Sequence, residues 1–301
     1  MRWLLVLAAI GCSKAPPPAD PEFNDATQFL LREFDGPEAE LAFALRSLEE
    51  LVYLSMDVEA DRVQDRALSP DYLTEDDVAL LNGEGRDPHL ALPVAVAKTS
   101  AFTPEDHARI QLLVDHTPVE PFSPDHYMRT FLEGEDCWAD HGCQRMNTTN
   151  DLTKRNALMT VDYTMPKDFR WIDLNLPDPS EVPDGEEPVN DGEPRWAFIA
   201  RAWTDKSYEG RGGNVTLHQS YTIDTWVPRD GGGFVRDDSH TNTDGGEWTT
   251  DSNGGGTLRM LAVWSETDLG FAVGDDAVIA TTRGGVDDNM NAAEEWLELN
   301  P

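Results

Sequence analysis

The sequence predicts an α+β protein, with an N-terminal helical layer followed by a C-terminal antiparallel β domain (a sandwich, small barrel or curved sheet) and a terminal helix. Three observations carry this. Apolar residues recur three or four apart between Phe23 and Gly134, the period falls to two after a short cysteine-bearing loop, and Gly- and Asp-rich turns separate the later segments.

The helical stretch has clear start signals. Gly36-Pro37 opens a segment in which Leu41, Leu45, Leu48, Val52 and Met56 share one helical face, and Ser69-Pro70 is the next stop, so a helix to about Leu68 is expected. Thr74 with Asp77 caps a short helix through Leu81, Thr103-Pro104-Glu105-Asp106 opens one through Val114, and Ser123-Pro124-Asp125 opens another ending near Gly134. Beyond the cysteines, Met159, Val161, Tyr163 and Met165 alternate with polar residues, as do Val215, Leu217, Tyr221 and Ile223. Further strands are expected at Trp171 to Leu176, Trp196 to Trp203, Gly233 to Arg236, Leu258 to Trp264 and Ala277 to Thr282, then a helix from about Asp287 to Leu299. Trp196 and Trp203 are an odd number of places apart, so a regular strand points them to opposite faces.

The first residues concern location. Arg2, the apolar run Trp3 to Ile10, Gly11 and Cys12 precede the loose segment Ser13-Lys14-Ala15-Pro16-Pro17-Pro18. This resembles the lipobox signal of bacterial lipoproteins, although Ala9 stands where the pattern favours Leu, Val or Ile. The resemblance implies cleavage before Cys12, lipidation of Cys12, and anchoring in the cell envelope. With Ser13 and not Asp after the cysteine, it implies the outer membrane. The apolar run is far shorter than the ~20 residues of a membrane-spanning helix. The chain then divides into a signal peptide (1–11), a lipid-anchored flexible linker (12–22), the helical region (23–134), a disulfide loop and connector (135–156), and the β domain with its terminal helix (157–301).

Charge narrows the partners. The chain carries 57 acidic and 23 basic residues, a formal charge of −34. Such a surface repels phosphate backbones and anionic head groups, so nucleic acid is not an expected partner and the membrane contact falls to the lipid. Cys137 and Cys143 flank Trp138-Ala139-Asp140-His141-Gly142, and in an exported protein a local disulfide is the simplest reading. A zinc site using Cys137, His141 and Cys143 is the sharper alternative, without an obvious fourth ligand nearby.

Chemistry-bearing motifs are sparse. There is no G-x-S-x-G, H-E-x-x-H, P-loop or G-x-G-x-x-G. The run His240 to Asp251 spaces Asn242, Asp244 and Asp251 as a calcium loop would, but it opens on His240 and closes on Asp, and its flanks read as strand and turn, not helices. Trp203, His218 and His240 are candidate contacts for a glycan or other ligand, because an indole on an open sheet can stack on a sugar ring. His107 and His116 are nine apart on one expected helix, about 180° from a shared face at 100° per residue, and so cannot clamp one ion.

These observations favour a non-enzymatic, lipid-anchored envelope protein that presents an acidic surface to other proteins or polysaccharide and needs no cofactor. The alternative is an exported hydrolase or calcium-dependent glycan-binding protein using the Gly/Asp-rich loops of the β domain. Anchoring is checked by phase partitioning: the wild-type chain should enter the detergent phase, and Cys12→Ala should stay in the aqueous phase.

Overall fold

The computed structural model describes residues 22–57, 62–63, 68, 70–81, 86–155, 159–183, 186–190, 192–229, 234–237, 247–250 and 256–301. The expected α+β architecture is present. Its helices are α1 (Phe23–Arg32), α2 (Glu38–Ser55), α3 (Glu75–Val78), α4 (Pro104–Gln111) and α5 (Asp275–Leu299). The strands are β1 (Met56–Asp57), β2 (Arg62–Val63), β3 (Leu92–Ser100), β4 (Tyr127–Glu133), β5 (Arg145–Arg155), β6 (Thr160–Asp173), β7 (Trp196–Trp203), β8 (Tyr208–Glu209), β9 (Thr216–Arg229), β10 (Phe234–Asp237), β11 (Glu247–Thr250) and β12 (Gly256–Asp268). Ten form one antiparallel sheet, in the order β1-β2-β3-β12-β9-β7-β6-β5-β4 with β8 on β9, and β10 pairs with β11. Among the described residues, no helix is long and apolar enough to cross a membrane.

Period-two sequences give this sheet two different faces. On β12, Leu258, Met260, Ala262 and Trp264 pack with Ile172, Ile199, Tyr221 and Ile223 against α1 and α2. Leu41, Leu45, Leu48 and Val52 of α2 are all buried there, as their spacing requires. Arginines fix this layer to the sheet. Arg170 donates to the carbonyls of Phe34 and Gly36, each at 2.8 Å, and Arg46 to those of Leu174 and Leu176 at 2.6 and 2.9 Å. Arg195 forms a two-pronged pair with Glu49 at 2.8 and 3.3 Å.

The opposite face holds an aromatic core. Trp138, Phe169, Trp171, Phe198 and Trp226 are buried together, and the Trp226 ring stacks on Phe198 at 4.1 Å. Trp138 belongs to the cysteine loop. Cys137 and Cys143 are joined as a disulfide with Cα atoms 5.3 Å apart, and the Trp138 carbonyl accepts from Trp171 Nε1 at 2.9 Å. Pairing the two sulfurs leaves neither as a thiolate ligand for zinc. Gly134 opens this loop at φ 85°, where an added Cβ would lie 2.3 Å from the Arg145 carbonyl oxygen.

Several elements differ from expectation. Helix α2 stops at Ser55, not near Leu68, and Met56 and Asp57 pair instead with Val63 and Arg62 as two short strands, a non-local pairing that overrides the continuing helical spacing of apolar residues. Strands β3 and β4 arise from the stretch expected to be helical, and β5 from the expected connector. Ser123-Pro124-Asp125 opens no helix, because Tyr127 and Arg129 alternate with exposed Met128 and Thr130 and pair with β5 over the following strand. Conversely, Ala277 to Thr282 belong to α5. Val278, Thr281, Thr282, Gly285 and Val286 recur at helical spacing, which overrides the β-branched local preference. The capping boxes of Thr74 with Asp77 and Thr103 with Asp106 are formed as anticipated.

Gly284 lies exposed within α5, and a Cβ added there would have open space for 4 Å around it. Gly284→Ala should therefore raise unfolding stability by about 0.5–1 kcal/mol through helix propensity alone, measured by urea denaturation.

Candidate functional site

The second sheet face is not filled along its whole length. Down β6, Phe169 and Trp171 belong to the aromatic core, but Tyr163, Met165 and Lys167 on the same face line a cavity. From β12 the lining residues are Arg259, Leu261, Val263, Ser265 and Thr267, the alternates of those buried against α1 and α2. Helix α5 closes the other side with Val278, Thr281, Thr282, Gly285, Val286 and Asn289. The enclosed space is about 160 Å³. It joins an apolar wall to a cluster of charges.

Five charged side chains line it: Glu120, Lys154, Lys167, Asp224 and Arg259. Arg259 donates to both carboxylate oxygens of Asp224, at 3.2 and 2.8 Å, and its guanidinium sits 4.9 Å from the Trp226 ring centroid. Glu120 accepts from Asn289 Nδ2 at 2.6 Å, and burial raises its carboxyl above the ordinary value. Both carboxylates are thus engaged. Lys154 and Lys167 have no carboxylate within 4.0 Å among the described residues. Lys167 Nζ lies 5.2 Å from the Phe169 ring centroid, and burial pushes its ammonium down to about 8. Burial lowers Lys154 as well.

A smaller polar recess adjoins the cavity through Glu120, Lys167, Arg259 and Asn289. His107 and His116 both line it. Their expected separation on opposite sides of one helix fails because α4 ends at Gln111 and the chain turns before His116. Burial, then Arg259, pushes His107 down to about 3, and its Nε2 lies 2.8 Å from Ser100 Oγ. Burial also holds His116 well below its usual value, so both rings are neutral near pH 7.

The residues singled out in the sequence lie elsewhere. Trp203 is half-buried, packs against the core beneath α1 and α2, and has the Arg201 guanidinium 5.4 Å from its ring centroid. Trp196 packs with the aromatic core, so the two tryptophans take opposite faces as their spacing requires. His218 sits at the bulge where the register between β9 and β12 shifts. Cys12, His240, Asn242, Asp244 and Asp251 lie outside the described residues. Among the described residues, no group of three or more His, Cys, Asp or Glu side chains could hold a metal ion. Sequence reasoning missed the cavity charges. Their signal was present: Lys167, Asp224 and Arg259 each occupy an in-strand position on the face that also carries Phe169, Trp226 and Leu261.

No protein-family model matches the chain, and no curated protein does. Among solved structures, it is similar to TTHA0849 from Thermus thermophilus, at 12% identity over 69% of this chain and 97% of that one, with a TM-score of 0.33. It is also similar to the Zhui aromatase/cyclase from Streptomyces sp. R1128, at 13% identity over 68% and 93%, with a TM-score of 0.33. A conserved protein from Geobacillus kaustophilus matches at 7% identity over 69% and 95%, with a TM-score of 0.34.

Lys167 gives a stability signature. Below about pH 8 it is charged in both folded and unfolded chains, and the folded state bears the cost of enclosing that charge. As pH rises toward the unfolded value near about 10.4, the folded chain binds fewer protons than the unfolded one and the cost disappears. Lys167→Met should therefore stabilise the ligand-free protein by about 2 kcal/mol at pH 7, and this gain should shrink between pH 8 and 10.5 in denaturant titrations.

Proposed function

We propose that the protein binds a small amphipathic molecule between its sheet and α5, and does so at the cell envelope, to which a lipid on Cys12 tethers it. The observation that carries the binding reading is the cavity of about 160 Å³, with apolar side chains and several charges turned into one enclosed space. Unfilled apolar volume of this size weakens a core, and enclosed charges weaken it further. A ligand with an apolar body offsets the first cost by taking Met165, Leu217, Leu261 and Val263 out of contact with water. Hydroxyls of Ser220, Thr222, Thr281 and Thr282 offer hydrogen bonds along its length.

The tether and the cavity fit one role. A binder held at a membrane surface meets apolar molecules where they are concentrated, and its acidic exterior keeps its own surface off the anionic head groups. Binding, not turnover, is the activity that these features support. An acidic face for protein or polysaccharide partners remains compatible with it.

The uncharged dye N-phenyl-1-naphthylamine tests the reading. It should fluoresce on mixing with the full chain, and Thr222→Trp, which places an indole in the cavity, should weaken its binding by about tenfold or more while the protein still unfolds cooperatively. Unchanged dye affinity in that variant would place the dye on the surface and defeat the proposal.

A further inference from the structure

Resting on the binding reading above, we infer that the ligand is an anion, a molecule with an apolar body and a carboxylate head, and that Lys167 receives the head. Three observations lead there. The first is the balance of charge. Lys154, Lys167 and Arg259 line the cavity against Glu120 and Asp224, and Arg129 stands behind them in the adjoining recess, so the interior is cationic in a chain of formal charge −34.

The second is how the charges are partnered. Arg259 is matched by Asp224 through two hydrogen bonds, at 3.2 and 2.8 Å. Arg129 donates from Nε to Asn150 Oδ1 at 2.9 Å and also to the Gln111 carbonyl. Glu120 is taken by Asn289 at 2.6 Å. The two lysines are left without a contact carboxylate among the described residues, although both face the cavity. Both lysines are half-buried and feel Glu120, and Lys167 also Asp224, only at a distance; an ammonium without a contact carboxylate is costly there, and a carboxylate brought in by a ligand lowers that cost.

The third is position. On β6, Lys167 stands between Met165, on the apolar wall, and Phe169, in the closed aromatic core. It also borders the polar recess, so a head group at Lys167 leaves the ligand body lying along Met165 and Tyr163, away from the packed rings. A carboxylate is favoured over a cation because a further positive charge would add repulsion to the three cations that line the cavity. It is favoured over a neutral head because a hydroxyl leaves the ammonium charge uncompensated.

The comparison of dodecanoate with dodecanol decides this. Each is used to displace N-phenyl-1-naphthylamine from the full chain carrying Cys12→Ala, which removes any acyl chain of the protein's own. The acid should bind at least about tenfold tighter than the alcohol at pH 7. Lys167→Met should reduce that preference to threefold or less without weakening the alcohol, Lys167→Arg should retain it, and Lys206→Met, at an exposed site, should leave it unchanged.

The preference should also fade above pH 8, while alcohol binding stays level. The groups facing Lys167 are Asp224, Arg259, Arg129, Glu120, Asn289 and the two neutral histidines, so loss of lysine charge is the change expected in that range, with Lys154 titrating in the same direction. Equal displacement by acid and alcohol in the wild-type chain would overturn the inference while leaving the cavity a binding site. Failure of the dye and both ligands to bind the folded chain would instead overturn the binding reading itself.

Discussion

Everything in this molecule depends on the two-sided alternation of its central strands. On β9, Tyr221, Ile223 and Val227 turn toward α1 and α2, while Thr222, Asp224 and Trp226 turn the other way. Burial of the first set against two helices stabilises the sheet by the hydrophobic effect, at roughly 1.5–3 kcal/mol for each large side chain. With that face saturated, the second is free to be irregular. It is aromatic and closed where the disulfide loop inserts Trp138, and hollow where α5 bridges it.

Electrostatics reinforces the division. The acids are spread over a surface that water and salt screen within about 8 Å. The cations of the cavity are enclosed, where the effective dielectric is low and charge interacts more strongly. Arg170, Arg195 and Arg201 are spent on the opposite face, fixing α1 and α2 by pairs such as Arg201 with Asp35 at 3.0 Å. Burial pushes the Asp35 carboxyl up, but Arg145 and Arg201 together bring it below the ordinary carboxylate range. The basic residues of these two faces therefore have different tasks. Each of those under α1 and α2 donates to a carboxylate or a carbonyl, whereas the lysines of the cavity have no contact carboxylate among the described residues.

Much of the fold was legible in the residues. The long apolar spacing of α2, the capping boxes, the alternation in β6 and β9 and the close cysteine pair each express a local rule that tertiary structure left in force. The failures have one cause: contacts made far along the chain outweighed a local signal. Ser123-Pro124-Asp125 reads as a helix start until β5 offers Tyr127 to Glu133 a partner. Ala277 to Thr282 read as a strand until a cavity needs a helical wall. The site was hidden for a related reason. A half-polar strand normally faces water, and nothing within β9 or β12 states that a helix from the end of the chain covers the polar side.

That covering helix also determines how the cavity can open. The sheet wall is tied by continuous ladders, with β12 paired to β9 from Gly256 to Asp268 and to β3 from Thr257 to Ser265. Separating those strands would break many backbone hydrogen bonds at once, each costly to leave unmet in the interior. Helix α5 is held differently, because its buried residues are Val286, Met290, Ala293 and Leu297, all beyond the Gly284-Gly285 pair. The first half, from Asp275, contributes Val278, Thr281 and Thr282 to the cavity wall and is followed by the Gly284-Gly285 pair, the weakest helix formers in its length. Moving that half aside keeps the anchoring contacts and the whole sheet intact. The least costly opening is therefore at the start of α5, which the Gly284→Ala substitution would stiffen.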